Sequence, residues 1–392
     1  MSSLSQANAA IVPLLERLVA FDTTSRNSNL ALIDYIQRYL EGQGIASTLI
    51  RNEAGDKANL FATIGPNVAG GVVLSGHTDV VPVDGQPWTT EPFVLTHGAD
   101  GKLHARGTAD MKGFIAVCLA YAPIFKAANL KRPVHFAFTY DEEVGCLGIQ
   151  AMLPHLRAHC ATPRLVVVGE PTSMQVAAAH KGQFVSRTRI RGREAHSSRP
   201  EDGVNAVVAA SELIGVIMGY ARRERENGPQ DAMFDTPYTS FNVGPIKGGS
   251  VFNTVPGDCE FDWEFRPVSA CDGQKIIDEY EAYLRDELNP RLKAAGGEGC
   301  FAENEVWAYL PPLVATPGSD AETLAKMLAN RNDTAVVGFG TEAGHFQSID
   351  FPTVVCGPGD IAQAHKPDEF ITTSELHACG AFMKRLVDVL SS

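Results

Sequence analysis

Short apolar runs recur along the chain and end abruptly in polar residues. Four predicted strands of this kind are residues 72–76, 131–140, 164–169 and 353–357. Runs of this length without polar alternation are typical of strands buried on both faces of a parallel sheet. Apolar positions at helical spacing lie at residues 8–20, 29–41 and 111–126. The pattern predicts an α/β fold with a mixed, largely parallel central sheet flanked by helices.

The pattern changes near residue 183. Alternation of polar and apolar residues predicts half-exposed strands at 183–191, 238–246 and 258–266. Amphipathic segments predict helices at 203–223 and 273–294. This block indicates a smaller two-layer α+β domain, residues 183–295, inserted into a discontinuous domain of residues 1–182 and 296–392. Its edge strand would be exposed in a monomer, so we expect pairing with a second copy of the chain.

Groups that can bind a metal ion follow the predicted buried strands, at their ends or shortly after them. They are His77, the acids 141–143, Glu170 and His365. Asp110, in the stretch Gly107–Gly113, is a further candidate. The carboxyl ends of parallel strands form the ligand-binding edge of an open α/β sheet. Adjacent acids at the end of an apolar strand repel one another unless a cation is present. These residues predict a metal site, although His77-Thr78-Asp79 alone fits an ordinary strand-end turn equally well.

The charges of these groups favour two divalent ions. Asp110, Glu143 and Glu170 would supply three negative charges, and one hydroxide would balance the remaining positive charge. Imidazole and oxygen ligands without thiolate suit zinc in a catalytic site, with cobalt or manganese as alternatives. We therefore expect two ions per chain, with zinc as the first choice.

Composition narrows the partners and the location. The formal net charge is −13 over 392 residues. It argues against nucleic acids and anionic membranes as partners, because both are bound through cationic surface. The eight cysteines form no Cys-x-x-Cys pair, so a reduced cytoplasm is the expected location. Neither a signal peptide nor an apolar run of membrane-spanning length is expected.

Six short motifs follow one another in a fixed order. They are Ser75-Gly-His-Thr-Asp79, Gly107-Thr-Ala-Asp-Met-Lys-Gly113, Asp141-Glu-Glu143, Gly169-Glu-Pro-Thr172, His180-Lys-Gly182 and Ala364-His-Lys-Pro-Asp368. Any one of them is weak, but the ordered set resembles the aminoacylase-like zinc metallopeptidases, which include succinyl-diaminopimelate desuccinylases. The resemblance extends from about residue 12 to residue 390.

The resemblance implies how the ligands are shared between the two ions. His77 and Glu170 would bind one ion. Glu143 and His365 would bind the other, and Asp110 would bridge the two. A cis peptide bond is expected directly after the bridging aspartate, between Asp110 and Met111.

The resemblance also implies the reaction. Glu142 would act as general base on a water molecule at the metals, and Asp79 would orient His77. The expected reaction is removal of the acetyl group of N2-acetylornithine, which gives ornithine and acetate. Another N-acyl amino acid or a dipeptide is the alternative substrate, since these reactions share their catalytic groups. A non-catalytic descendant that binds metal or acyl amino acids is a remote alternative.

Further candidates lie outside the metal-binding motifs. In dimeric relatives the residue matching His196 reaches into the partner's site to stabilise the oxyanion, although His196 also fits an ordinary histidine of a surface turn. Asn253 and Arg266 match residues that hold the substrate's carboxylate, a task that suits the planar guanidinium. On the residues alone, both could be ordinary loop or strand-end polarity. The segment from Thr341 to His345 matches a substrate-site loop.

The remaining histidines point to structural roles. His155 and His159 are four residues apart on a predicted helix, but without the Glu of a His-Glu-x-x-His motif a surface pair is expected. His135 is expected in the core, and His180 is expected to have a structural role. Serine-hydrolase chemistry is not supported, because the chain has no Gly-x-Ser-x-Gly elbow.

Overall fold

The computed structural model describes residues 3–392. The chain divides into two compact units. The first combines the chain up to His180 with Leu313–Ser392, and the second is the contiguous stretch Lys181–Pro312. A discontinuous domain with an insertion was predicted from the change of pattern near residue 183.

Ten α-helices form within residues 3–392. They are α1 (Ser3–Val19), α2 (Leu30–Gly42), α3 (Gly113–Ala127), α4 (Ile149–His159), α5 (Ala206–Asn227), α6 (Gly273–Tyr283), α7 (Asn289–Gly296), α8 (Asp320–Ala329), α9 (Ala343–Gln347) and α10 (Thr373–Ser391). A π-helical turn, Leu284–Leu288, joins α6 to α7. The helix predicted at 273–294 is therefore continuous across this turn.

Seventeen strands form within the same residues. They are β1 (Ser47–Arg51), β2 (Ala58–Ile64), β3 (Val72–His77), β4 (Thr96–His97), β5 (Lys102–His104), β6 (Val134–Thr139), β7 (Leu165–Pro171), β8 (Ala177–His180), β9 (Gln183–Arg191), β10 (Ala195–His196), β11 (Ser240–Gly248), β12 (Thr254–Val255), β13 (Asp258–Arg266), β14 (Phe301–Leu310), β15 (Ala335–Val337), β16 (Thr353–Gly357) and β17 (Phe370–Thr372).

The first unit is built on an eight-stranded sheet in the order β1-β2-β6-β3-β7-β16-β8-β15. The four central strands, β6, β3, β7 and β16, run parallel to one another. All four are buried along their whole length, which explains their unbroken apolar sequences. The predicted mixed, largely parallel sheet is confirmed.

Helix α3 packs directly against this sheet. A side chain at Gly169 could not fit, because an added Cβ would lie 2.2 Å from the ring of Phe114. The stretch Thr108–Ala127 has a mean hydropathy of 1.3 and the length to cross a membrane. It is not an unbroken apolar run, because it contains Asp110, Lys112 and Lys126. In addition, 89% of it is buried inside the protein, where α1 and α10 also contact α3. It is therefore a core helix of the first unit.

A small antiparallel sheet, in the order β17-β5-β4, joins two distant parts of the first unit. Strand β17 pairs with β5 in the register Phe370↔His104 and Thr372↔Lys102. Strands β4 and β5 form an antiparallel hairpin between residues 84 and 107. This pairing brings the segment after β16 beside the segment that leads to Asp110.

The inserted unit is a four-stranded antiparallel sheet in the order β11-β13-β9-β14, packed on helices α5, α6 and α7. Its core contains Trp263, Phe265 and Tyr280. The predicted end of the insertion, residue 295, is wrong because β14 belongs to this sheet. Residues Phe301–Leu310 pair along β9 from Arg191 to Gln183, so the unit ends at Pro312.

Candidate metal centre

Three neighbouring strands bring acidic and imidazole groups to one edge of the central sheet. Strand β3 ends at His77, and the register places His77 beside Thr139, the last residue of β6. The acids 141–143 follow directly after β6. Glu170 lies near the end of β7 on the other side of β3. The parallel register thus gathers residues that are far apart in sequence.

Asp110 lies between the two histidines. Its Oδ1 is 2.9 Å from His77 Nε2, and its Oδ2 is 3.3 Å from His365 Nε2. Glu170 Oε1 is 3.7 Å from His77 Nε2, while Glu143 Oε2 is 3.0 Å from His365 Nε2. The five predicted ligands therefore converge as two groups that share Asp110.

Glu142 stands among these groups. Ligand atoms of His77, Glu142 and Glu170 lie within 4.8 Å of one another, as do those of His77, Asp110 and Glu143. Glu142 Oε1 is also 3.6 Å from the thiol of Cys146, whose backbone N–H donates to the Glu142 carbonyl. The side chain of Glu142 is therefore held at the edge of the cluster.

Three acids of the cluster resist ionisation, whereas hydrogen bonds from His365 and His77 lower the pKa of Asp110 despite its burial. Burial, with added repulsion from Asp110, raises the pKa of Glu143 to about 7. Burial likewise raises the pKa values of Glu142 and Glu170 well above the ordinary value, with nearby carboxylates adding to the rise. A positive charge among these carboxylates would offset both the cost of burying them and their mutual repulsion, and so would lower their pKa values.

The histidines of the cluster favour the protonated form. Hydrogen bonds to Asp110 and Glu143 raise the pKa of His365 to about 10. Burial opposes protonation of His77, but the carboxylates of Glu170 and Asp110 outweigh it and raise its pKa. The carboxylates of the site therefore favour positive charge on the two neighbouring imidazoles. Its oxygen and imidazole donors, arranged in two groups around one shared carboxylate, fit a pair of divalent ions.

Asp79 contacts His77 with both its backbone and its side chain. His77 Nδ1 is 2.9 Å from the backbone carbonyl of Asp79 and 3.6 Å from its carboxylate. The Asp79 carboxylate also accepts the backbone N–H groups of Glu142 and Glu143 and the hydroxyl of Ser25. It therefore fixes the turn that carries the predicted base.

The peptide bond between Asp110 and Met111 is cis, as the sequence resemblance led us to expect. Asp110 lies just before helix α3, in a buried segment that runs from Thr108 to Lys112.

The inserted unit carries three of the predicted site residues. His196 lies in the short strand β10, paired with Thr254, and its Nδ1 is 2.7 Å from Ser198 Oγ. The predicted loop around His196 is thus partly a strand. The Asn253 carbonyl accepts the N–H of Ser197, so Asn253 lies next to His196. Arg266 ends β13, with Nη2 3.3 Å from Glu264 Oε2.

Thr341 lies inside the first unit. It is fully buried, and its hydroxyl is 3.1 Å from His180 Nε2 and accepts the N–H of Ala343. This contact agrees with the structural role expected for His180. His345, in helix α9, is buried, and its Nδ1 lies 3.4 Å from Nε2 of Gln150.

Sequence reasoning missed several residues around the cluster. They are Ser25, Cys146, Glu342 and Glu369. Glu342 is buried, lies 3.4 Å from Ser75 Oγ, and has its pKa raised by burial to about 7. Glu342 and Glu369 adjoin motifs that had been recognised, and Cys146 lies three residues after Glu143. Ser25 had no such sequence signal, because its contact with Asp79 arises only from the fold.

The other histidines have structural surroundings. The rings of His155 and His159 are 4.5 Å apart on α4, and His155 also contacts Phe61. His135 is buried in β6, with Nδ1 2.9 Å from Thr63 Oγ1.

Comparison with known proteins decides the family. The sequence profile of the peptidase family M20/M25/M40 matches residues 73–389. This chain belongs to that family. It is also 38% identical over 321 residues to the acetylornithine deacetylase of Shigella sonnei (strain Ss046), a match that covers 81% of this chain and 79% of the relative. The M20 chain is therefore a hydrolase of amide bonds.

Solved structures share the fold at low sequence identity. An M20 family metallo-carboxypeptidase from Sulfolobus solfataricus aligns with a TM-score of 0.78 at 17% identity, covering 97% of this chain and 99% of the other. A dinuclear metal-binding M20 peptidase from Bacillus subtilis aligns with a TM-score of 0.64 at 17% identity, covering 98% and 99%. Both alignments extend over the two units of this M20 hydrolase.

Proposed function

We propose that this M20 hydrolase removes the acetyl group of N2-acetylornithine, with two divalent ions, zinc first among them, at the candidate metal centre. The observation that carries the proposal is the convergence of two imidazoles, those of His77 and His365, and two carboxylates, those of Glu143 and Glu170, around Asp110. The 38% identity to an acetylornithine deacetylase supports the choice of substrate.

The ions are assigned to two ligand groups. His77 and Glu170 would hold one ion, Glu143 and His365 would hold the other, and Asp110 would be shared between the two groups. When bound, the ions polarise the acyl carbonyl and make a water molecule more acidic. Their positive charge also offsets the repulsion between the buried carboxylates.

Glu142 moves the proton in this mechanism. As general base it takes a proton from the water that attacks the acetyl carbonyl, and then gives that proton to the nitrogen of the leaving amine. The C–N bond breaks, so acetate and the free amine of ornithine result. Asp79 supports this role because its carboxylate holds the backbone N–H groups of Glu142 and Glu143.

In this proposal the inserted unit recognises the substrate and forms the interface of a homodimer. Arg266 and Asn253 bind the substrate's carboxylate, and His196 of one protomer stabilises the oxyanion in the partner's site. Strand β11 lies at an edge of the four-stranded sheet, and neighbouring Phe252 is 99% exposed. An exposed strand edge and an exposed aromatic side chain both favour pairing with a second copy. All eight cysteines are free, which suits a cytoplasmic enzyme.

A substrate panel tests the chemistry. We would measure kcat/KM for N2-acetylornithine, N-acetylmethionine, N-succinyl-diaminopimelate and a dipeptide, each with zinc or cobalt supplied. The highest value is expected for N2-acetylornithine. A higher value for another substrate would move the assignment to that substrate, and no turnover of any would reject the reaction class.

Subunit mixing tests the shared site. His196→Ala and Glu142→Ala proteins, each inactive alone, would be mixed under conditions that exchange subunits. About half of the dimers would then be mixed, and one of their two sites would combine an intact Glu142 with an intact partner histidine. Activity should recover to roughly a quarter of wild type. No recovery after verified exchange would show that His196 does not act across the dimer.

A further inference from the structure

We propose that Gln86, Arg106 and Glu369 form a polar clamp that positions Asp110 and the loop of His365, and thereby controls the affinity of the ion assigned to Glu143 and His365. The inference rests on the two-ion site proposed above. The clamp residues lie beyond the ligands, so they act as positioning residues.

Glu369 fixes the backbone around Asp110. It is 1% exposed, and its Oε1 accepts the N–H groups of Ala109 at 2.8 Å and Asp110 at 3.1 Å. Its Oε2 accepts the N–H of Gly107 at 3.0 Å. A buried carboxylate that receives three backbone donors on one turn leaves that turn little freedom. The shared ligand is therefore held by its own main chain.

Arg106 joins this turn to the loop that carries His365. Its Nη1 donates to Glu369 Oε2 at 2.8 Å and to the carbonyl of Lys366 at 3.2 Å. Its guanidinium is 5.1 Å from the centre of the Trp88 ring. Because Arg106 is 1% exposed, these charge-assisted contacts are shielded from water.

Gln86 completes the connection. Its Oε1 accepts from Arg106 Nη2 at 2.6 Å and from Trp88 Nε1 at 2.9 Å. Its Nε2 donates to the carbonyl of His365 at 2.9 Å. Hydrogen bonds thus run without a break from the backbone of His365, through the three clamp residues, to the backbone of Asp110.

The loop of His365 needs such support more than the strands do. The side chain of His365 is 55% exposed, and its backbone has a φ of +63°, in the left-handed region. His77 and Glu170 are buried on β3 and β7 in the middle of the sheet. Loss of the Gln86 contact should therefore affect one ion, whereas loss of Glu369 should affect both through Asp110.

Gln86→Glu and Gln86→Met separate these effects. The Glu variant keeps the acceptor for Arg106 and loses the donor to His365, while the Met variant removes both without adding charge. Gln363→Glu is the matched control, since it places the same extra charge two residues from His365 and leaves Gln86 intact. Metal-free proteins would be titrated with zinc by calorimetry, and their melting temperatures recorded.

Single-ion backgrounds assign each binding step. Glu170→Ala should retain the ion of Glu143 and His365, and Glu143→Ala should retain the ion of His77. Adding either Gln86 variant should weaken zinc binding about 10- to 100-fold in the first background, as loss of an outer contact typically does. It should change binding less than about 2-fold in the second. The Gln363→Glu control should bind zinc with unchanged affinity. The melting temperature of each metal-free variant should also stay unchanged.

Three results would overturn the clamp. Equal weakening in both backgrounds would mean that Gln86 supports the fold generally, and unchanged binding in both would mean that it supports neither ion. The same loss in Gln363→Glu would mean that charge, and not the hydrogen bond, is responsible. If the wild-type protein takes up fewer than two ions, the proposed two-ion site is rejected. That result is distinguishable from failure of the clamp, because it is obtained before any variant is measured.

Discussion

The two units place most of their candidate site residues differently, although His365 of the first unit is itself 55% exposed. In the first unit, His77, Asp110 and Glu170 are buried and lie at or near the ends of strands or a helix. In the insertion, His196 is exposed, and the Arg266 side chain is 31% exposed. Buried, fixed groups suit bond breaking, because preorganised charges act most strongly where water is excluded. Exposed or partly exposed groups, such as His196 on the short strand β10 and Arg266 at the end of β13, suit recognition of a molecule that arrives from solvent.

The largest effect should come from Glu142 in the buried cluster. Glu142→Gln removes the proton acceptor but keeps a side chain of the same size, so kcat should fall by about 10² to 10⁴. Both metal ions should remain, as measured by elemental analysis of the purified protein. Loss of metal in this variant would make Glu142 a ligand and contradict its role as base.

Next in size is the removal of one ligand from either ion. Glu170→Ala and Glu143→Ala should each lower the metal content from two ions towards one. The affinity for the lost ion should fall by more than the 10- to 100-fold expected when a contact beyond the ligands is removed. Elemental analysis after dialysis would measure the metal content. Full metal content in both variants would refute the assignment to two ions.

A smaller effect, of another kind, is expected in the insertion. Arg266→Ala should raise KM by about 10- to 150-fold for substrates with a free carboxylate, because a charge-assisted contact is lost. The corresponding amides should be affected little, and the metal content should not change. If KM rises equally for the carboxylates and for the amides, Arg266 does not bind the carboxylate, and the contrast between the two units is not supported.

The mildest test varies pH in the metal-free protein. Folding raises the pKa of Glu143 from 4.5 to about 7 and that of His365 from 6.5 to about 10. The folded chain therefore binds more protons than the unfolded chain across this range, so stability falls as pH rises. The melting temperature after chelation should drop between about pH 5 and pH 7, below the range in which the lowered pKa of buried Lys112, about 7, has the opposite effect. Added zinc should reduce the slope, since it replaces the protons, and a rise with pH in the chelated protein would contradict the burial of these groups.

Sequence patterns predicted the buried parts of the first unit well. The run at 72–76 became β3 and the run at 353–357 became β16, because a strand buried on both faces must be apolar at every position. The end of the insertion was missed because β14 reveals its place only by pairing with β9, over a hundred residues earlier in the chain. Strand pairing at that separation leaves no local sign.

The candidate site shows the same division. The predicted metal ligands follow strand ends, where an acid or a histidine after an apolar run is easy to recognise. Asp79 was expected to orient His77 with its carboxylate. That carboxylate lies 3.6 Å from His77 Nδ1, and it also holds the turn of Glu142 and Glu143, which was not expected. Backbone donors carry no residue identity, so contacts such as these and those of Glu369 cannot be predicted from side-chain types.

The discontinuity of the first unit has a consequence for synthesis on the ribosome. The insertion is one contiguous stretch and can fold as soon as Pro312 has emerged. The metal centre must wait for His365, which at about 5–20 residues per second follows His77 by roughly 15 to 60 s. During that interval the strand ends of β3, β6 and β7 present their acids without the last imidazole, and β5 lacks its partner β17. The nascent chain can therefore complete its inserted unit well before the candidate metal centre.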